Sequence, residues 1–279
     1  MSKIKVAELF YSLQGEGKYT GVPSVFLRTF GCNFQCAGFG MPRGEKSVEK
    51  DLIDPGQYIA YDELPLVSTG CDSYASWDPK FKHLSPMFES AELVEKINEL
   101  LPNNDWRNEH LVITGGEPLL GWQRSYPDLI KAMPNLNHIT FETNGTQEIT
   151  QEFAQFLVDW WQEAPFDREV TFSISAKLPC SGEKWEDAIK PEIVKSYQYL
   201  GDSYLKFVVA TEQDVEDAQR AVEEFRAGGF LGEVYLMPVG GTPDVYNLNT
   251  QQVAELAMKL GWRYSPRLQV DIWRNAWGT

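Results

Sequence analysis

The sequence is poor in cysteine and histidine and has no excess of positive charge. Four cysteines in 279 residues are too few for a disulfide framework, so free thiols or metal ligands are expected. A formal net charge of −15 excludes a general nucleic-acid-binding surface, because neutralising phosphates requires clustered lysine and arginine. No segment approaches the roughly 20 apolar residues of a membrane span, and the first residues lack the apolar stretch of a signal peptide. We therefore expect a cytoplasmic protein with no nucleic-acid or membrane partner.

The chain does have ample apolar material, at 43% hydrophobic residues, and its length fits one domain over residues 1–279. Extended apolar segments alternate with helical patterns, which is typical of parallel βα repeats. Six such units predict an α/β fold, a partial (βα)6 TIM-like barrel with its chemistry at the carboxyl ends of the strands. Strands are predicted at 22–30, 110–114, 138–142, 170–175, 204–209 and 233–238. Helices are predicted at 90–101, 151–161, 187–199, 213–227 and 250–260.

One long segment, residues 37–84, interrupts this alternation. It is rich in glycine, proline and charge, and it has no sustained periodicity. A connection of this length without regular structure is uncommon unless it has a function. We therefore predict a functional loop or a lid.

The cysteines suggest a metal site. Cys32 and Cys36 follow the first predicted strand. Three thiolates would bind three irons of a [4Fe–4S] cluster and leave the fourth iron open for a substrate, but position 39, where a third cysteine is expected, holds phenylalanine. Cys71 could supply the third thiolate if the intervening loop folds back, and Cys180 competes with it. Two buried thiols or a zinc site, which usually needs four protein ligands, are the other interpretations.

A second motif, "TGGEPLL" at 114–120, follows a predicted strand and precedes a helix. Gly115 and Gly116 would let the backbone approach a ligand closely, and Glu117 could accept hydrogen bonds from an ammonium group. Alone, the motif could be a tight turn. Cysteines after the first strand and GGEP after the second together resemble the radical S-adenosylmethionine (SAM) superfamily. In that superfamily the open iron binds the methionine end of SAM, and GGEP holds its amino group.

The resemblance narrows to one family. "FYSLQGEGKYTGVPSVFLRTFGCNFQC" (10–36) is similar to the N-terminal signature of the 7-carboxy-7-deazaguanine synthases, and "ITGGEP", "FETNGT", "SISAK", "LKFVV" and "YLMP" follow in that family's order. The family's last cluster cysteine precedes Asp and then Thr or Ser, and "CDS" occurs here at 71–73. The resemblance therefore implies that Cys32, Cys36 and Cys71 hold the cluster and that residues 37–70 are an insertion in the cluster loop. It also implies that Ser73 is a ligand of Mg²⁺, a cation that prefers oxygen.

Further site residues follow from the same resemblance. Strand alternation places Arg28 beside Phe26 and Phe30, where a cation is costly without an anion; a substrate carboxylate would pair with it bidentately. The implied substrate contacts are Leu13, Gln14, Gly15, Glu16, Arg28 and Thr114. The implied SAM contacts are Gly115, Gly116, Glu117, Ser175, Ala176, Lys177, Met237, Pro238, Val239 and Gly240. Thr143, Asn144 and Lys206 could line the SAM cleft or serve structure alone. Three positions depart from the family pattern, with Ala176 for Pro, Met237 for Gln and Gln269 for a frequent His.

The resemblance implies a radical ring contraction catalysed by a lyase of queuosine-type 7-deazapurine biosynthesis. A reduced cluster cleaves SAM, and the 5′-deoxyadenosyl radical takes a hydrogen from C6 of 6-carboxy-5,6,7,8-tetrahydropterin, which becomes 7-carboxy-7-deazaguanine with loss of ammonia. The cofactor carries the radical, so no side chain is expected to be catalytic. A flavodoxin or ferredoxin as electron donor and a homodimer are also implied. Two alternatives stay open: another radical SAM reaction, on a related heterocycle or a protein glycine, and a non-catalytic scaffold.

Overall fold

Nine strands form one sheet in the computed structural model, which describes residues 2–279. They are β1 (Lys3–Leu13), β2 (Pro23–Thr29), β3 (Met87–Glu89), β4 (His110–Gly115), β5 (His138–Thr143), β6 (Glu169–Ile174), β7 (Asp202–Val209), β8 (Val234–Pro238) and β9 (Arg263–Tyr264). Their spatial order is β3-β1-β2-β4-β5-β6-β7-β8-β9. From β2 through β4 to β9 the neighbours are parallel, whereas β1 pairs antiparallel with both β2 and β3.

The helices are α1 (Ser90–Leu100), α2 (Tyr126–Lys131), α3 (Gln151–Glu163), α4 (Trp185–Ala188), α5 (Pro191–Tyr197), α6 (Glu212–Ala227), α7 (Pro243–Leu260) and α8 (Leu268–Trp273). Helices α1 to α7 pack on one face of this sheet, whereas Gln269 of α8 lines a cavity on the other face. Strand alternation sends Val25 and Leu27 into the main core with the helices, and it leaves Phe26 and Arg28 on the other face. Within residues 2–279, none of the helices combines the length and the apolar character that a membrane span requires.

The α/β prediction is confirmed, but the partial TIM-like barrel is not. The six predicted strands are β2 and β4 to β8, and each predicted helix overlaps an observed one, although 187–199 contains two short helices, α4 and α5. The TIM-like barrel is not confirmed, because the sheet stays open: its order begins at β3 and ends at β9, with no pairing between those edges in the described chain. Strands β1, β3 and β9 and helices α2 and α8 were not predicted.

The irregular segment 37–84 folds into short 3-10 turns. These turns span Glu49–Leu52, Pro55–Gln57, Tyr61–Glu63, Tyr74–Ser76 and Pro79–Leu84. They enclose a small apolar core of their own, in which Tyr74 and Phe81 are fully buried and pack edge to face with ring centroids 5.1 Å apart. Ala7 of β1 belongs to the same core, and Trp277 packs against it. The segment is thus anchored to strand β1 and to the C-terminal residues.

Candidate functional site

A cavity of about 240 Å³ lies on the sheet face that helices α1 to α7 leave uncovered. The predicted site residues that line it are Leu13, Gln14, Gly15, Glu16, Arg28, Cys32, Cys36, Cys71, Ser73, Thr114, Gly115, Gly116, Ser175, Lys177, Met237, Val239 and Gly240. Of the predicted residues, only Glu117, Ala176 and Pro238 are not in its wall. Thr143, Asn144, Lys206 and Gln269 also line the cavity. Residues predicted for four ligands, the cluster, Mg²⁺, SAM and the substrate, therefore line one cavity.

Three of the four cysteines lie together in the wall of this cavity. Cys32, Cys36 and Cys71 pack in one apolar group with Phe34 and Phe39, so the phenylalanine at position 39 contributes a wall rather than a ligand. Cys180 lies outside the cavity wall, and its thiol donates to Val208 O across 3.5 Å. Of the two candidates for a third thiolate, Cys71 therefore lies beside Cys32 and Cys36, and Cys180 does not.

The surroundings of these thiols change their pKa values in opposite directions. Burial raises the pKa of Cys32 to about 12 and that of Cys71 to about 11, whereas the Lys177 ammonium lowers the pKa of both. Phe34 N–H donates to Cys32 Sγ across 3.3 Å. Within residues 2–279, no three His, Cys, Asp or Glu side chains converge on a point that would hold a single metal ion. A [4Fe–4S] cluster does not need such convergence, because each thiolate binds a different iron.

The GGEP turn packs directly against the cysteine loop. A Cβ on Gly116 would lie 2.4 Å from Gly31 O and 2.6 Å from Cys32 Cβ, so only glycine fits there. Glu117 N–H donates to Gly31 O across 2.7 Å. The Glu117 carboxylate is fully buried and accepts from Thr143 Oγ1 (2.8 Å) and Asn144 N (2.7 Å). Burial raises its pKa to about 7. In this arrangement the carboxylate joins β4 to β5, and its contact with an ammonium group stays a prediction.

A chain of charged side chains, most of them buried, runs through the cavity wall. Glu16 Oε2 accepts from Lys206 Nζ (2.5 Å), and its Oε1 accepts from Arg267 Nε (3.1 Å). Arg267 Nη2 continues to Asp72 Oδ2 across 2.5 Å, and Arg267 also donates to Gly240 O. Burial alone would raise the pKa of Glu16, but Lys206 and Arg267 hold it well below its usual range. One guanidinium therefore joins the predicted substrate loop, the cysteine loop and the predicted SAM loop.

The predicted carboxylate-binding arginine has an internal partner. Arg28 Nε donates to Glu8 Oε2 (3.0 Å), and its Nη1 donates to Ser73 Oγ (3.1 Å). The isolated cation inferred from Phe26 and Phe30 was thus wrong in one respect, because the partner strand β1 supplies an anion. Glu8 Oε1 also accepts from Gly278 N (2.8 Å), which holds the C-terminal residues against the cavity.

The remaining wall is a mixture of aromatic and polar groups. Phe10 and Phe26 stack with ring centroids 4.8 Å apart and offer a flat apolar surface. Gln14 Nε2 donates to Glu142 Oε1 across 3.2 Å. Gln269 Oε1 and Ser173 Oγ are buried and have no hydrogen-bond partner within residues 2–279. Buried polar atoms usually have partners, so this wall is suited to a ligand that brings its own donors.

Several cavity residues escaped the sequence reasoning. They are Glu8, Asp72, Trp77, Glu142, Arg267 and Trp277. Glu142 and Asp72 stand inside quoted motifs, so the motifs carried a signal for these two. Glu8, Arg267 and Trp277 pair with residues distant in sequence, as Arg267 does with Asp72, and no local sequence pattern predicts such a pairing. The indole nitrogen of Trp77 has no hydrogen-bond partner within residues 2–279.

Comparisons with known proteins agree with this geometry. The chain is 31% identical to the 7-carboxy-7-deazaguanine synthase of Halobacterium salinarum, over 98% of this chain and 91% of that one. It is 28% identical to the enzyme of the same name from Pyrobaculum aerophilum, over 99% and 97% of the two chains. The crystal structure of QueE from Escherichia coli has a similar fold, with a TM-score of 0.55 and 21% identity over 94% of this chain and 93% of that one. No family model matches the chain. On the strength of the Halobacterium relative, this chain belongs to the 7-carboxy-7-deazaguanine synthase family.

Proposed function

We propose that this chain forms 7-carboxy-7-deazaguanine from 6-carboxy-5,6,7,8-tetrahydropterin by a radical ring contraction, with the cavity as its active site. Family membership supports the reaction. The observation that carries the site is that Cys32, Cys36 and Cys71 line the same cavity as Arg28 and the GGEP glycines. When bound, the reduced cluster supplies the electron that cleaves SAM to methionine and a 5′-deoxyadenosyl radical.

We assign the part of the cavity lined by the three cysteines to the cofactors. The three thiols would hold the cluster, and Lys177 would stabilise their anionic form. SAM would lie along Gly115, Gly116, Ser175, Lys177, Met237, Val239 and Gly240, which line the cavity beside the thiols. Met237 cannot make the hydrogen bond of the usual glutamine, so only its backbone is available to a ligand. Glu117, Ala176 and Pro238 would act from behind this surface.

We assign the part of the cavity lined by Phe10, Phe26 and Arg28 to the pterin. Phe10 and Phe26 would receive the face of the ring, and Gln14, Glu16 and Thr114 would receive its polar edge. Arg28 Nη2 makes no hydrogen bond within residues 2–279, so it remains available for the substrate carboxylate. Enclosure of the cavity by segment 37–84 and by Trp277 would exclude water from a radical. Leu13 and Gly15 would supply backbone groups.

We assign Mg²⁺ to Ser73. Its hydroxyl lies in the cavity wall next to Asp72, and the two side chains hydrogen bond across 3.3 Å. Magnesium usually takes one or two protein ligands and fills its shell with water and substrate oxygens, so one hydroxyl with a neighbouring carboxylate is sufficient. A substrate carboxylate held by Arg28 would then lie beside the metal, because Arg28 Nη1 is 3.1 Å from Ser73 Oγ.

Other parts of the proposal concern architecture and partners. We propose that the open sheet curves as a partial barrel, because residues from β1, β2 and β4 to β8 line one cavity. We propose one domain over residues 1–279, in which residues 37–70 are an insertion whose small core docks on β1. A flavodoxin or ferredoxin as electron donor and a homodimer rest on family resemblance alone. Four free cysteines are typical of a reducing compartment, which supports a cytoplasmic location.

Anaerobic reconstitution with iron and sulfide, followed by reduction, tests the reaction. We expect SAM cleavage that depends on the carboxypterin and yields 7-carboxy-7-deazaguanine and ammonia. SAM cleavage without this product would favour another substrate. A fully loaded protein that binds no SAM would favour the scaffold alternative.

A further inference from the structure

The carboxylate of Glu183 binds the backbone of the cysteine loop. Its Oε1 accepts hydrogen bonds from Gln35 N across 2.9 Å and from Cys36 N across 2.7 Å. Cys36 is one of the three predicted cluster ligands, and its φ of +50° lies in the left-handed region, which is unfavourable for a residue with a Cβ atom. Such a conformation persists only where the surrounding structure holds it. The two hydrogen bonds therefore help to fix the backbone of a predicted iron ligand.

The turn that precedes Glu183 packs against the same cysteine loop. This turn follows β6, and its Ser181 accepts at Oγ from Glu183 N across 3.2 Å. The backbone oxygen of Ser181 accepts from Gly38 N across 2.8 Å. A Cβ on Gly38 would lie 2.7 Å from Gly182 N, so the two backbones are in direct contact. The segment after β6 thus holds the carboxylate in place against the cysteine loop.

The charge of Glu183 has no cationic partner. Within residues 2–279, no lysine, arginine or histidine side chain forms an ion pair with its carboxylate. A negative charge therefore lies beside Cys36, and it would repel an electron added to a cluster bound there. The two N–H groups that the carboxylate engages are also unavailable to the cluster sulfurs, where donors would stabilise the reduced form. Both effects lower the reduction potential.

We propose that Glu183 is a positioning residue that holds Cys36 for iron and keeps the reduction potential of the iron–sulfur cluster low. This inference rests on the proposed function, because it requires Cys36 to be a cluster ligand. A lower potential makes the reduced cluster a stronger electron donor, which favours the cleavage of SAM. The carboxylate acts through the loop and does not touch the reacting molecules.

Substitution Glu183→Gln tests the effect on the potential, because the amide oxygen can still accept both N–H groups and only the charge is removed. The measurement is the midpoint potential of the reconstituted cluster, without SAM or substrate. We expect unchanged iron content and a less negative potential, with the equilibrium constant for reduction raised about tenfold, or about 59 mV for a one-electron couple. The matched control is Glu186→Gln, since Glu186 is exposed and the loop N–H groups donate to Glu183 instead. It should leave the potential unchanged, and an equal shift there would contradict a local effect of Glu183.

A second measurement does not require a variant to load a cluster. Amide hydrogen exchange of the full chain before reconstitution, detected by NMR, reports how firmly Gln35 N–H and Cys36 N–H are held. Glu183→Ala removes their acceptor, so both amides should exchange about tenfold faster than in the parent, because hydrogen bonds to charged groups contribute on that order. Glu183→Gln should retain most of the protection, and Glu186→Ala should match the parent.

The outcomes separate this inference from the proposed function. If Glu183→Gln loads as much iron as the parent and has the same potential, the effect of Glu183 on the potential is wrong and the proposed function stands. If Cys36 N–H exchanges equally fast in Glu183→Ala and in the parent, the positioning role is wrong. If the parent protein assembles no cluster, the proposed function fails together with this inference.

Discussion

Arg28 and Glu8 face each other across the antiparallel β1–β2 pair, with Nε donating to Oε2 over 3.0 Å. The cation that the sequence placed among apolar neighbours therefore has an anion before any ligand binds. A substrate carboxylate would share Arg28 with Glu8 and Ser73 rather than neutralise it alone. This relationship divides the role of Arg28 into a structural part and a binding part, which different substitutions can separate.

Arg28→Ala should weaken binding of the carboxypterin on the order of 2–5 kcal/mol, the cost of removing one partner from a buried charge pair. It should also destabilise the fold, because Glu8 would stay buried without its cation. The double variant Glu8→Gln with Arg28→Ala should recover stability but not binding. Calorimetric titration of the loaded protein measures the first effect, and denaturant unfolding measures the second. Unchanged substrate binding in Arg28→Ala would remove Arg28 from the site.

Cys71→Ala should abolish the cluster, and Cys180→Ala should leave it intact. Cys71 packs with the other two thiols, whereas Cys180 donates its S–H to a strand carbonyl. Both thiols are partly buried and free, so each variant loses a comparable side chain. Iron content and visible absorbance after anaerobic reconstitution are the measurements. If Cys71→Ala retained the cluster and Cys180→Ala lost it, the ligand set would be wrong.

Period-two and helical patterns were sufficient for the strands and helices that build the parallel sheet. They failed at β1, whose register shifts between Val6 and Glu8, so its apolar residues do not alternate regularly. They also failed at α8, which has only six residues and is too short for a periodic pattern. Whether a sheet closes depends on the curvature of its strands, and local patterns contain no information about curvature.

Site residues could be predicted from the sequence where they stand together in one short motif. The residues around Cys32 and Gly116 were found because their spacing in sequence reflects one loop and one turn. The position of Cys71 needed resemblance, since a long insertion separates it from Cys36. The role of Arg267 could not be predicted, because it depends on ion pairs with Asp72 and Glu16, both distant in sequence.

Arg267→Met should destabilise the chain on the order of 3–5 kcal/mol even without cofactors. Asp72 and Glu16 would lose a buried cation, and breaking such a pair leaves an uncompensated charge. Arg263→Met is the matched control, because its partner Glu233 is on the surface and such pairs contribute about 0–1 kcal/mol. Urea unfolding of the two variants compares the costs. Equal losses would show that the buried chain of charges does not stabilise the fold.

His110 should make the fold sensitive to mild acid. Its ring is buried and stacks on His138 with centroids 4.3 Å apart, while Tyr19 packs edge-on and Glu169 and Lys18 lie nearby. Burial, the His138 ring and Lys18 lower the pKa of His110 from 6.5 to about 4, and Glu169 only partly opposes them.

A histidine whose pKa is lower in the folded state than in the unfolded chain binds a proton more readily after unfolding. Its contribution to stability is therefore complete above pH 6.5 and is lost as the pH falls towards 4. The loss is on the order of 3 kcal/mol at about 1.4 kcal/mol per pKa unit. Between these pH values the free energy of unfolding of His110→Gln should fall less than that of the parent, whereas exposed His83→Gln should follow the parent. Denaturant unfolding at several pH values measures all three, and parallel curves for His110→Gln and the parent would show that His110 is not the acid-sensitive group.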